Sequence, residues 1–106
     1  MGYKETAPAV YMVAWPALNI VKVGYSSFQR WKPFVARGGE LIGIEEFGDV
    51  AAAFRREDDL AWLMAEVSRP AFTHREYAAQ ILGKKGSGWT ECWAAPIEVG
   101  RRIFHG

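Results

Sequence analysis

Apolar and polar residues alternate most clearly near the start of the chain. Residues 10–15 and 20–25 are rich in β-branched and aromatic side chains, and each segment predicts a strand. Between them lies Pro16-Ala17-Leu18-Asn19. Proline suits a turn position and asparagine tolerates unusual backbone angles, so the segment predicts a hairpin loop. In that register Trp15 faces Ile20, Val13 faces Lys22 and Tyr11 faces Gly24. Directly opposed residues share a face, and faces alternate along each strand. One face then carries Val10, Met12, Ala14, Val21, Val23 and Tyr25, and reads as core. The other carries Tyr11, Val13, Trp15, Ile20, Lys22 and Gly24. Tyr11 and Lys22 become diagonal neighbours, with open space beside them at Gly24. A one-residue slip would separate them.

Further along, Ser26 and Gln29 have the spacing of a capping box, and Pro33 makes the helix that follows short or irregular. Gly38-Gly39 ends it, and residues 40–47 predict a third strand. Asp49 is a good N-cap for a longer helix over 50–67, stopped by Ser68-Arg69-Pro70. Thr73 with Glu76 makes a second capping box, for a helix ending near Leu82-Gly83. Lys84-Lys85-Gly86-Ser87-Gly88 is a basic, flexible loop. Residues 89–95 are strand-like, and the tail after Pro96 has room for one short helix. These elements predict an α+β fold: a small antiparallel sheet of three to four strands flanked by helices, in one domain over 1–106.

Composition narrows the function classes. Half of the 106 residues are apolar, so a real core is possible. Cys92 is the single cysteine. It excludes an intrachain disulfide and suits a reducing, cytoplasmic compartment. Cys92, His74 and His105 are too few for a zinc site built from cysteine and histidine. The two histidines also argue against a nuclease built on a histidine–metal cluster. No apolar run approaches the ~18 residues of a membrane span, and the polar N-terminus does not read as a signal peptide. The formal net charge is +1. Non-specific nucleic-acid binders are usually more basic, so any DNA contact must come from a local cluster.

On the helix over 50–67 the apolar stripe runs through Val50, Ala53, Phe54, Leu60, Ala61, Met64 and Val67. Helical spacing places Glu57 inside that stripe. A carboxylate there is costly unless it is paired or holds a metal. Its simplest explanation is an ion pair with Arg30, Lys22 or another cation, or a place at the helix edge. Taken singly, Tyr11 reads as packing, Lys22 as an edge-strand lysine reaching solvent and Arg30 as a surface arginine.

In combination these residues resemble a known family. Ala9-Val10-Tyr11 followed by Lys22-Val23-Gly24 resembles the two signature triplets of the GIY-YIG endonucleases, at the family's usual spacing of ten residues. Arg30 lies about where the family has its arginine. Glu57-Asp58-Asp59-Leu60 resembles its metal-binding glutamate, on a helix with a leucine three residues on. The stretch from Ala71-Phe72 through Leu82-Gly83 to Gly88-Trp89-Thr90-Glu91-Cys92-Trp93 resembles the end of small phage and actinobacterial members. The similarity covers about residues 9–93. Ala9 replaces the first glycine, and Lys22 replaces a tyrosine, as in the phage-type branch. The family's late asparagine has no counterpart, since the one asparagine is Asn19 in the hairpin turn.

The resemblance implies hydrolysis of DNA phosphodiesters with one divalent ion, Mg²⁺ or Mn²⁺. Glu57 is then the lone protein ligand, and waters and phosphate complete a hard oxygen shell. Arg30 contacts the non-bridging phosphate oxygens through its planar fork. Tyr11 orients or deprotonates the water. A free tyrosine has a pKa of about 10, so a nearby Lys22 ammonium is expected to favour the phenolate, or else to touch phosphate. Tyr25 and Glu91 are candidates for a supporting shell. Alternation along a strand over 89–95 sets Glu91 beside Trp89 and Trp93. His74, in the first turn of its helix, is a weaker candidate.

Lys32, Arg37, Lys84 and Lys85 are candidate contacts to the nucleic-acid backbone. Lys84-Lys85-Gly86 lacks the leading glycine of a phosphate-binding P-loop. Arg55-Arg56 and Arg101-Arg102 read as solvated faces, each able to add a backbone contact. The five tryptophans suggest packing first and base stacking second. With no separate recognition segment in these 106 residues, specificity is expected to be low, or to come from a partner or a homodimer. The rival expectation is a catalytically inactive module of the same fold that binds DNA or a protein, as in phage regulation, defence or anti-defence.

Overall fold

The structure, a computed structural model, describes residues 6–106. The hairpin forms in the expected register. Strands β1 (Ala9–Trp15) and β2 (Ile20–Ser26) pair with Trp15 opposite Ile20, Val13 opposite Lys22 and Tyr11 opposite Gly24. The connection is a 3₁₀ turn, Pro16–Leu18, closed by Asn19 in the left-handed region.

The elements that follow are α1 (Trp31–Ala36), β3 (Glu40–Glu46), α2 (Val50–Val67), β4 (Arg69–Pro70), α3 (Arg75–Leu82), β5 (Cys92–Ala94) and α4 (Ile97–His105). The described residues form one antiparallel five-stranded sheet in the order β3-β1-β2-β5-β4. The class is α+β, as the alternation implied. The added strand is β4, two residues that sequence patterning reads only as a helix stop. Its Pro70 is tolerated because β4 is an edge strand.

Both faces of the hairpin are buried, although the pattern marked one of them as core. β1 is central in the sheet, and all seven of its residues are buried. On one face Val10, Met12, Ala14, Val21 and Val23 pack under Ala53, Leu60 and Met64 of α2 and Ile97 and Phe104 of α4. On the other, Tyr11, Val13, Trp15 and Ile20 pack under Phe34 of α1 and Ala78 and Leu82 of α3. Covering both faces with helices replaces strict alternation by continuous burial.

Three local expectations change. Ser26 does not cap a helix. It ends β2, and its buried Oγ accepts the N–H groups of Phe28 and Arg30 at 2.8 and 3.1 Å, while Gln29 takes a positive φ. The helix holding Pro33 is short, as expected: α1 has six residues, with Pro33 in its first turn, where its missing N–H is not needed. Thr73 is not the cap of α3. That helix starts one residue later, with His74 at the N-cap making no side-chain hydrogen bond. Residues 89–91 form a 3₁₀ turn rather than strand, so β5 keeps only three residues.

Asp49 does cap α2, accepting from the Ala52 N–H at 2.7 Å. The buried stripe of α2 is narrower than patterning suggests. Ala53, Leu60 and Met64 are buried, whereas Val50, Phe54 and Val67 are substantially exposed. No helix among the described residues is long and apolar enough to cross a membrane.

Candidate active site

The shortness of β5 creates the site. β5 pairs with β2 only at Ile20, Val21 and Lys22, so the edge of β2 beyond Lys22 is free on that side. A cleft of about 400 Å³ opens there. It is lined by Tyr11, Lys22, Gly24, Tyr25, Arg30, Phe34, Glu57, Ser87, Gly88 and Glu91. Tyr11 and Lys22 belong to one face of the sheet, and Glu57 comes from α2, which packs on the other. They meet because the cleft lies around the sheet's edge.

Tyr11 and Lys22 form the floor, with only 3% and 4% of their surface exposed. The Tyr11 ring lies over Gly24, where a Cβ would collide with its Cζ and hydroxyl oxygen. The glycine is therefore required for close approach. The Lys22 Nζ donates to the Val23 carbonyl at 3.3 Å and stands 5.3 Å from the Phe34 ring centroid and 5.8 Å from that of Tyr11. Gly88 leaves room for the end of that side chain, since a Cβ there would come within 2.7 Å of Nζ.

Arg30 is exposed at the lip, held by its backbone bond to Ser26. Glu57 is half-buried. Burial raises its carboxyl pKa, the nearby Glu91 adds to the rise, Lys22 opposes it and Asp58 adds slightly. Glu91 sits in the 3₁₀ turn Trp89–Glu91, so strand alternation is not what places it. That turn swings it into the cleft.

The Tyr11 phenol does not behave as expected from its lysine neighbour. Burial drives its pKa upward, well beyond the ordinary tyrosine range, and Glu57, Cys92 and Glu91 push the same way. Arg30 alone opposes them. Lys22 stands near the ring face, with its one hydrogen bond going to the Val23 carbonyl. The expectation that Lys22 favours the phenolate is therefore corrected: the neutral phenol is favoured.

Tyr25 lines the cleft as well as packing against the core, its hydroxyl 3.0 Å from the Ser27 Oγ. His74 lies outside the cleft lining, with its ring 5.4 Å from that of Tyr77. Lys32 extends over the Trp31 ring at 5.8 Å. Arg37 is engaged elsewhere: its Nε donates to the Ile81 carbonyl at 3.0 Å, tying α1 to the C-terminal end of α3. Lys85 is exposed and outside the cleft lining. The side chain of Lys84 lies outside the described residues. Arg56 pairs with Glu45 and Arg101 with Glu40. Sequence reasoning missed Ser87, Gly88 and Phe34 as lining residues. The glycine-rich run 86–88 carried the available signal, because repeated glycines accompany close backbone approach.

Among the described residues no three of His, Cys, Asp and Glu converge as a metal-binding group. The cleft instead offers two carboxylates, Glu57 and Glu91, close enough for the second to raise the pKa of the first. Mg²⁺ is commonly held by one or two carboxylates, with waters and substrate phosphate completing its shell, so this donor set fits. Compared with family models, curated proteins and solved structures, the chain gives no match in any of the three.

Proposed function

We propose that this chain is a metal-dependent endonuclease of the GIY-YIG type, hydrolysing DNA phosphodiester bonds. The observation that supports this reading is the convergence of Tyr11, Lys22, Arg30 and Glu57, from four separate segments, in one cleft. Arg30 at the lip takes the non-bridging phosphate oxygens. Lys22 holds a fixed positive charge at the floor, where negative charge develops on the phosphoryl group. Tyr11, kept neutral by burial, orients the attacking water, since a phenol both donates and accepts a hydrogen bond. Glu57, with Glu91 beside it, holds one Mg²⁺ or Mn²⁺ ion, which when bound neutralises charge on the phosphate and leaving oxygen.

One observation favours a second reading, a non-catalytic module that binds DNA or a protein through the same cleft. A phenol whose pKa is driven upward is a poor general base at neutral pH.

Nicking separates the two. Wild type and Glu57→Gln, matched for folding by circular dichroism, are incubated with supercoiled plasmid and single-stranded circular DNA in Mg²⁺ or Mn²⁺. The expected result is cutting of at least one DNA form by wild type alone, abolished by chelator. Equal cutting by both proteins removes Glu57 from the site. No cutting of any DNA form by the folded wild type leaves the binding module.

A further inference from the structure

We propose that the cleft takes unpaired rather than duplex DNA, with a nucleobase stacked on the Tyr25–Phe54 ring pair at its rim. The inference rests on the nuclease reading above and names its substrate class. Depth is the first argument. Tyr11 and Lys22 are almost fully buried at the floor of a cleft of about 400 Å³. A duplex is stiff over such distances, and its phosphates are closely and regularly spaced, so lowering one of them alone to that floor costs deformation energy. A single strand is flexible enough to place one phosphate there.

Charge is the second argument. Lys22 and Arg30 in the cleft face Glu57 and Glu91, which leaves no formal excess of positive charge among them. The whole chain carries +1. Arg56 and Arg101 are held in ion pairs, and Arg37 is bound to α3. The cleft itself, with two cations facing two carboxylates, therefore offers little counterion release on its own. A ligand bound at this site needs another source of affinity.

The rim supplies one. Phe54 and Tyr25 pack with ring centroids 4.5 Å apart and planes tilted by 38°. Tyr25 lines the cleft, and its hydroxyl lies against Ser27, which helps to fix the ring. Phe54 does not itself line the cleft; it stands one turn before Glu57 on α2 and packs on Tyr25, which does. Phe54 is 45% exposed, so part of its ring stays open to solvent while it packs on Tyr25. Aromatic side chains partly open to solvent beside a phosphate site are the kind of platform on which single-strand binders stack bases.

The test measures binding in chelator, where hydrolysis stops. A short single-stranded oligonucleotide carrying 2-aminopurine and a fluorescein end label is compared with its blunt duplex at one salt concentration. The expected result is at least about tenfold tighter binding of the single strand, with quenching of the 2-aminopurine as it stacks. Phe54→Ala should weaken single-strand binding about tenfold and abolish the quench, leaving duplex binding unchanged. Phe54→Trp should restore both, and Trp62→Ala, which removes an exposed aromatic two turns further along α2, should change neither. Equal affinity for the two DNA forms, or a Phe54→Ala loss shared by both, overturns the inference. If wild type still nicks DNA in that case, the nuclease reading survives without it. If the folded protein neither binds nor cuts any DNA form, both fail.

Discussion

Glu57 carries a charge that the fold makes costly. Burial and Glu91 raise its carboxyl pKa above the unfolded value, against the opposing pull of Lys22. For an acid with a raised pKa, the folded state binds the proton more readily than the unfolded chain. The penalty is absent below the unfolded pKa and fully present above the folded one. Glu57→Gln should therefore raise the Tm at neutral pH, and the gain should shrink as pH falls through the carboxylate range. Thermal melts across pH check the sign. A lower Tm for the variant at neutral pH would mean that the Lys22 attraction outweighs desolvation and repulsion. A stabilising change that also removes cutting is the pattern expected of a residue kept for function rather than for folding. Glu57 was legible in sequence because helical spacing set a carboxylate in an apolar stripe. The rise in the Tyr11 pKa was not, because burial on the second face of the sheet cannot be read from one strand.

Among the elements, the turn after β2 sets the position of Arg30. Ser26 accepts two backbone N–H groups through one buried Oγ. Ser26→Ala leaves both donors unmet and should cost about 1–3 kcal/mol. It should also reduce cutting by more than its loss of stability explains, because the Arg30 backbone is released. Asp49→Ala provides the comparison. It removes the α2 cap and should cost about 1 kcal/mol with cutting retained once the protein is folded. Denaturant melts paired with nicking rates of the folded fraction measure both. Equal loss of cutting from the two variants would show that Ser26 acts on stability alone. The hairpin and α2 were readable because each has a clear period and a strong end signal. The 3₁₀ turn Trp89–Glu91 was not, since Trp89, Glu91 and Trp93 mimic strand alternation while the chain is bending toward β5.

At the scale of the whole molecule, Cys92 reports on the integrity of the fold. It is buried under the Tyr11 face of the sheet, and burial pushes its thiol pKa up to about 12, with Glu91 raising it and Lys22 opposing. The thiolate is the reactive form, so the folded protein holds it almost entirely as unreactive thiol at neutral pH. Labelling by a thiol reagent should be slow in buffer and accelerate in parallel with loss of helical circular dichroism in denaturant. Labelling that precedes unfolding would show that the β5 region opens on its own, which would expose the cleft floor.

The amino-acid order alone determined the hairpin register, the helix 50–67 with its cap, the α+β class and the candidacy of Tyr11, Lys22, Arg30 and Glu57. These follow from side-chain periods and from short-range capping chemistry, which act over a few residues. Only the tertiary structure decided that both faces of the sheet are covered, that β5 stops after three residues and that Glu57 shares a cleft with Tyr11 at the free edge of β2. It also decided that Glu91, Ser87 and Gly88 join them while His74 and Lys32 lie outside the cleft and Arg37 is bound to α3. Those outcomes depend on long-range packing and on the burial it imposes, and neither leaves a periodic mark on the chain.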